Sequence, residues 1–193
     1  MSWTALVPLK HRIARKSRLA DSLAPDARAL LSERMFDHVI DVLSATPAIG
    51  RIVLLAPAAP ENWPHDWIMD EERGLNAELA AFHASEALSD LLIIHADLPL
   101  LARADVEALL DAAMHSGTAI APDRHDRGTN ALACRAGAMI QPRFGPDSFA
   151  LHLGQAPECA IIRREGLAID VDTPEDIELV EVAGRCATAG GVR

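Results

Sequence analysis

The chain has 193 residues, a formal net charge of −10 and a hydrophobic fraction of 50%. This length and composition predict one compact domain with a buried core, which we place at residues 1–184. The Ala/Gly-rich remainder, residues 185–193, is expected to be a frayed tail. The acidic balance argues against a nucleic-acid binder, which would need a broad basic face.

Membrane insertion and export are also not indicated. The chain has no apolar run of about 18 residues, which a membrane span would need, and its first residues lack the hydrophobic region of a signal peptide. Cys134, Cys159 and Cys186 are widely spaced and form no C-x-x-C pair, so neither a zinc site nor a disulfide framework is predicted. We therefore expect a cytoplasmic protein whose cysteines act as small hydrophobic side chains.

The predicted elements alternate between helices and strands, and the strands are apolar throughout. In chain order they are a strand at 4–7, a helix from 25, a strand at 51–56, a loop at 57–66, a strand at 67–69, a helix at 74–88, a strand at 91–95, a helix at 103–115, strands at 118–121 and 130–135, a helix at 148–153, strands at 160–163 and 167–171, and a helix from 174. This pattern predicts an α/β fold, with a doubly wound, mainly parallel sheet covered on both faces. Ligands of such sheets bind beyond the carboxyl ends of the strands.

Five cationic side chains directly follow the first strand. They are Lys10, Arg12, Arg15, Lys16 and Arg18, and without them the formal charge of the chain would be −15 instead of −10. A basic loop at the carboxyl end of a first strand is where α/β proteins hold phosphorylated ligands. The alternative interpretation is a solvated basic turn.

Three aspartates are candidates for binding a cation. Asp97 follows the strand at 91–95, and Pro99 then fixes the turn. Asp170 and Asp172 stand one residue apart on a segment predicted to be extended, so their side chains point to the same side. Such carboxylates repel each other unless a cation lies between them, and Mg²⁺ suits oxygen ligands. The alternative is that Asp97 and Asp172 are turn or capping residues.

Two polar segments could bind a small anion. Gly128 permits close backbone approach, and the side chains of Thr129 and Asn130 can form hydrogen bonds with an anion or a sugar. In the segment 143–149, Ser148 would stand at a helix N-terminus, which favours anions. An ordinary hairpin and an ordinary helix cap are the alternatives.

A basic loop, three aspartates and a polar pocket together describe a nucleotidyltransferase, in which positioning and charge neutralisation do most of the catalysis. The G-x-x-x-x-G-K-[ST] pattern of a P-loop is absent. His95 is assigned a packing role on the strand at 91–95. Two alternatives stay open for these motifs: a non-catalytic nucleotide-binding module, and an unrelated α/β domain in which the motifs are only caps and turns.

The motifs resemble those of the 2-phospho-L-lactate guanylyltransferase family, which acts in the synthesis of the deazaflavin coenzyme F-420. In order they are VPLK (7–10), ARKSRL (14–19), GLNA (74–77), ADLPL (96–100), APD (121–123), GTNAL (128–132), FGPDSF (144–149) and DVDTPED (170–176). The resemblance runs from about residue 4 to residue 182. It implies a nucleotide-diphospho-sugar transferase fold of the molybdenum-cofactor-guanylyltransferase type, with a small antiparallel part in the sheet.

The resemblance also implies substrates and residue roles. Members of this family transfer GMP from GTP to 2-phospho-L-lactate, phosphoenolpyruvate or 3-phospho-D-glycerate. The implied partners are GTP, one of these phospho-acids and the next transferase of the pathway, and a homodimer stays open. The alternative enzyme activity is transfer of a guanylyl or cytidylyl group to another acceptor, such as a molybdopterin. The resemblance implies that Asp97, Asp170 and Asp172 bind Mg²⁺. It implies that Lys10, Lys16 and Arg18 contact the triphosphate, and that the three aspartates and Lys16 are catalytic. Guanine and ribose contacts are implied for Gly74, Leu75 and Asn76, and acceptor contacts for Thr129, Gly145 and Ser148.

Overall fold

The computed structural model describes residues 2–9, 19–20, 22–86 and 89–180. Strands and helices alternate along most of this length. They are β1 (Trp3–Pro8), α1 (Pro25–Ser44), β2 (Ile49–Ala56), β3 (Asp66–Met69), α2 (Leu75–Ser85), β4 (Asp90–Ile94), α3 (Arg103–Ser116), β5 (Thr118–Pro122), β6 (Thr129–Cys134), α4 (Ser148–Gln155), β7 (Ala160–Ile161) and α5 (Glu165–Ala168). Residues 174–180 are also helical.

The seven described strands form one sheet in the order β3-β2-β1-β4-β6-β5-β7. Six of them run in one direction, and β6 runs antiparallel to both of its neighbours, β4 and β5. At the centre, Leu6 of β1 lies opposite Val53 of β2 and Ile93 of β4. Strands β2 and β3 follow β1 on one side of it, and β4 and the later strands lie on its other side, so the strand order reverses between β1 and β4. Open α/β sheets bind ligands at such topological switch points.

Each face of the sheet buries its own hydrophobic cluster, because successive side chains of a strand point to opposite faces. Ala5 and Val7 of β1 pack with residues of α1, α3 and α5, whereas Leu6 packs on the other face with residues of α2 and α4. All three side chains are completely buried. Burial on both faces explains why the strands are apolar without alternation, and the predicted doubly wound sheet is confirmed.

The predicted strand at 167–171 is wrong. Residues 165–168 form the short helix α5, and residues 169–172 have no regular secondary structure. The side-chain amide of Asn130 donates hydrogen bonds to the carbonyls of Leu167 (3.0 Å) and Ala168 (3.3 Å), so these groups are satisfied without a neighbouring strand. Tertiary contacts thus override the β propensity of this apolar segment.

Other element boundaries also differ from the prediction. The strand β4 ends at Ile94, so His95 lies just beyond it and is half-buried, not inside a buried strand. The strand β7 spans only Ala160–Ile161, and Arg163 beyond it is exposed and paired with Asp126. The helix α2 ends at Ser85, before the predicted residue 88.

Among the described residues we find no helix with the length and hydrophobicity that a membrane span requires.

Candidate active site

Three carboxylates meet beyond the carboxyl end of β4. One oxygen each from Asp97, Asp170 and Asp172 lies within 4.8 Å of the other two, and all three residues are half-buried. Asp97 follows β4 by three residues, and the other two flank Val171 on the segment after α5. The structure therefore brings together the three aspartates that were predicted from the sequence to bind a cation.

The backbone explains why these residues converge. The amide of Val171 donates a hydrogen bond to the carbonyl of Asp97 (3.3 Å), which ties the segment after α5 to the loop after β4. The side chain of Val171 is buried in a small cluster with Leu19 and Met35. Since alternate side chains of an extended chain share a side, burying Val171 leaves its two aspartate neighbours together.

The environment of the cluster raises the pKa of Asp170. Burial is the largest cause, and the negative charges of Asp97 and Asp172 add to it. A hydrogen bond from the side-chain amide of Asn130 (3.3 Å) acts in the opposite direction and favours the charged form. The charged form of Asp170 is thus disfavoured next to the other two carboxylates, and a bound cation would relieve this repulsion.

The donor set suits a hard divalent cation. Mg²⁺ prefers oxygen ligands at about 2 Å in octahedral geometry, so ligand oxygens around it lie about 3–4 Å apart. The spacing of the three carboxylates, within 4.8 Å, is compatible with such an ion after small side-chain adjustments. The residues present therefore fit Mg²⁺.

Asp176 holds the backbone of this cluster in place. Its Oδ2 accepts hydrogen bonds from the amides of Asp172 (2.9 Å) and Thr173 (2.7 Å) and from the Thr173 hydroxyl (2.9 Å), while Oδ1 pairs with Arg124 at 2.6 Å. Burial raises the pKa of Asp176, but these hydrogen bonds and the charge of Arg124 outweigh it, so the pKa lies below its usual value. The structural role of Asp176 could have been predicted from the sequence, because Thr-Pro-Glu-Asp (173–176) has the spacing of a capping box.

The candidate acceptor residues lie around α4. Ser148 is its first residue and is buried, and Gly145 precedes it in an exposed loop with φ +126°, a conformation that favours glycine. Thr129 begins β6 and is also buried, and its Oγ1 lies 2.9 Å from Nδ1 of His152, one turn along α4 from Ser148. His152 was not predicted as a site residue from the sequence, although its i, i+4 spacing from Ser148 places both residues on one helix face.

The candidate nucleotide segment contacts the same loop. Gly74 precedes α2 with φ +94°, and Leu75 and Asn76 begin the helix. The carboxamide of Asn76 donates a hydrogen bond to the carbonyl of Phe144 (2.9 Å) and accepts one from its amide (2.7 Å). Asn76 therefore joins the start of α2 to the loop before α4. Lys10, Lys16 and Arg18 lie outside the described residues.

A family model described as "Guanylyl transferase CofC like" matches residues 3–189. The chain belongs to this family. The resemblance inferred from the motifs is thereby confirmed, and membership in the family makes the chain a nucleotidyltransferase.

Two curated members of the family illustrate its range. The chain is 40% identical over 198 residues to a phosphoenolpyruvate guanylyltransferase from Sphaerobacter thermophilus, covering 95% of this chain and 94% of that protein. It is 34% identical over 204 residues to a 3-phospho-D-glycerate guanylyltransferase from Phenylobacterium zucineum, covering 94% and 90%.

Solved structures share the fold at low sequence identity. A protein from Desulfovibrio desulfuricans, provisionally described as a nucleotide-diphospho-sugar transferase, matches with a TM-score of 0.72 and 18% identity over 93% of this chain and 87% of its own. The 2-C-methyl-D-erythritol 4-phosphate cytidylyltransferase from Thermus thermophilus matches with a TM-score of 0.60 and 16% identity, covering 96% of this chain and all of its own. The predicted fold class is confirmed.

Proposed function

We propose that this chain transfers GMP from GTP to the phosphate of a small phospho-acid and releases pyrophosphate, with Mg²⁺ held by Asp97, Asp170 and Asp172. The observation that carries the proposal is the convergence of these carboxylates within 4.8 Å at the switch point of the sheet. Phosphoenolpyruvate is the first acceptor to test, because it gives its name to the relative at 40% identity. The alternatives are 3-phospho-D-glycerate and 2-phospho-L-lactate.

In the proposed reaction, an oxygen of the acceptor phosphate attacks the α-phosphorus of GTP. The new P–O bond forms as the bond to the β-phosphate oxygen breaks, and pyrophosphate leaves. The acceptor phosphate is already anionic at neutral pH, so the reaction needs no strong general base. The main barrier is the approach of two anions. Bound Mg²⁺ supplies charge neutralisation for the phosphates.

The side chains of the protein then position the substrates. Lys10, Lys16 and Arg18 neutralise the charge of the departing pyrophosphate, and Lys16 is the catalytic residue among them. The hydroxyls of Thr129 and Ser148 and the backbone at Gly145 bind the carboxylate of the acid. The positive end of the helix dipole at the N-terminus of α4 favours an anion at this position. The amides of Ser148 and Phe149 themselves donate to the carbonyls of Gly145 and Arg127.

Gly74, Leu75 and Asn76 lie next to the guanosine in this proposal. The hydrogen bonds of Asn76 with Phe144 then link the nucleotide half of the site to the acceptor half. The product, in which the acid is joined to guanosine through a diphosphate, is the activated substrate of the next transferase in F-420 synthesis. A cytoplasmic location, direct transfer to that enzyme and a homodimer remain predictions.

The test is pyrophosphate release from GTP with each of the three acids in turn, with Mg²⁺ or with excess EDTA. Mass spectrometry of the nucleotide product identifies the acceptor. We expect release with one acid or more, and only with Mg²⁺. Absence of release with all three acids, in a preparation that binds GTP, would contradict the proposed function.

A further inference from the structure

His152 of α4 is completely buried and makes two polar contacts. Its Nε2 accepts a hydrogen bond from the backbone amide of Arg143 (2.9 Å), and its Nδ1 lies 2.9 Å from the hydroxyl oxygen of Thr129. The ring of Phe144 packs edge-on against the imidazole, with centroids 5.0 Å apart. His152 therefore connects the start of β6 to the loop that precedes α4.

These contacts determine where the imidazole proton lies. A backbone amide can only donate, so Nε2 of His152 must present its lone pair. A neutral imidazole carries one proton, which is then on Nδ1, and Nδ1 donates to Oγ1 of Thr129. A second proton on Nε2 would face the amide of Arg143. Burial, with the nearby charge of His95, lowers the pKa of His152 to about 4, so the ring is neutral at physiological pH.

The consequence falls on the hydroxyl of Thr129. Its oxygen accepts from His152, so its own hydrogen must be donated in another direction. Within the part of the chain that the structure describes, this hydrogen has no protein acceptor. A hydroxyl held in this way is oriented to donate its hydrogen to an incoming oxygen atom.

We propose that His152 is a positioning residue, which fixes the Thr129 hydroxyl as a hydrogen-bond donor to the carboxylate of the acceptor acid. The proposal rests on the proposed function, because it concerns the acceptor of that reaction. It assigns His152 no contact with either substrate. Its effect should therefore fall on the KM of the acid and leave the KM of GTP nearly unchanged.

Two conservative variants separate the two contacts of His152. The side-chain nitrogen of Asn reaches about as far as Nδ1, so H152N keeps a donor for Thr129 and loses the acceptor for Arg143. The terminal oxygen of Gln reaches about as far as Nε2, so H152Q keeps the acceptor and loses the donor. We expect H152Q to raise the acid KM about tenfold or more, and H152N to raise it less than about threefold.

Two controls complete the experiment. His83→Gln removes another histidine, near the far end of α2, and should leave both KM values unchanged. In the background of Thr129→Val, which lacks the hydroxyl, H152Q should cause no further rise in the acid KM, because its effect acts through Thr129. Thermal unfolding identifies variants that fail to fold.

The outcomes are distinguishable. Equal effects of H152N and H152Q, or additive effects of T129V and H152Q, would overturn the role of His152 while the wild-type chain remains an active transferase. An inactive wild-type chain would instead overturn the proposed function. In that case ¹⁵N NMR of the imidazole still decides the underlying assignment: a proton on Nδ1 supports it, and a proton on Nε2 refutes it.

Discussion

His152 should make the stability of the protein depend on pH, because it is neutral in the fold and titratable in the unfolded chain. Its pKa falls from the ordinary 6.5 to about 4, chiefly through burial. Below pH 6.5 the unfolded chain therefore binds a proton that the folded chain rejects. The contribution of His152 is fully present above pH 6.5 and is lost as the pH falls towards 4.

The magnitude follows from the size of this shift. Each pKa unit corresponds to about 1.36 kcal/mol, so the folded state loses about 3 kcal/mol in total and about 2 kcal/mol of it between pH 8 and pH 5. This loss is a large fraction of the stability of a typical domain. Replacing His152 with glutamine removes the titrating group and leaves the other histidines and carboxylates in place.

Urea unfolding of the wild-type chain and of H152Q at pH 8, 7, 6 and 5 measures the effect. The free energy of unfolding of the wild type should fall by about 2 kcal/mol more than that of H152Q over this range. The raised pKa of Asp170 acts on both proteins and cancels in the difference. Parallel pH profiles would refute the reasoning, because they would mean that His152 is protonated in the fold or exposed to solvent.

Three further predictions concern the cluster and its support. Asp172→Asn should lower turnover by about 10²-fold with an unchanged far-UV circular dichroism spectrum, since it removes one proposed cation ligand; wild-type turnover would exclude Asp172 from that role. Asp170→Asn should raise the midpoint of thermal unfolding in EDTA at pH 7, since it removes a buried and repelled charge, and this gain should shrink as the pH falls and the wild-type carboxyl becomes protonated. Gly166→Ala should cost about 2 kcal/mol or more in urea unfolding, because its Cβ would lie 2.6 Å from the carbonyl oxygen of Leu100. The matched control, Gly154→Ala in α4, meets no atom within 4 Å and should be neutral or stabilising.

The order of elements and the placement of the cluster follow from local patterns. Apolar strands buried on both faces predict a parallel sheet, and a carboxylate just beyond such a strand, as at Asp97, must lie at the ligand-binding edge. The carboxylates of Asp170 and Asp172 converge although the predicted strand at 167–171 is wrong. An extended backbone is enough for this arrangement, and Ile169, which opens the segment, is extended although it lies outside the sheet.

The contacts that hold the loop before α4 could not be predicted in the same way. Thr129 and His152 are 23 residues apart, and Asn76 and Phe144 are 68 residues apart. Such pairs depend on how helices dock on the sheet, which neither periodicity nor turn chemistry specifies. From the sequence alone, an asparagine in the first turn of a helix, such as Asn76, is equally consistent with a ligand contact and with a structural role. Only the structure shows that its carboxamide bonds to a backbone.

The pairing of Asn76 with Phe144 has a consequence for how this site can diversify. The carboxamide contacts the amide and the carbonyl of residue 144, and no side chain of the loop takes part in these bonds. Neighbouring loop positions can therefore change in size and polarity while the loop stays attached to α2 in the same way. Under the proposed function, an architecture of this kind would let the preference for one acid over another evolve by single substitutions, without changes to the proposed guanosine contacts at the start of α2.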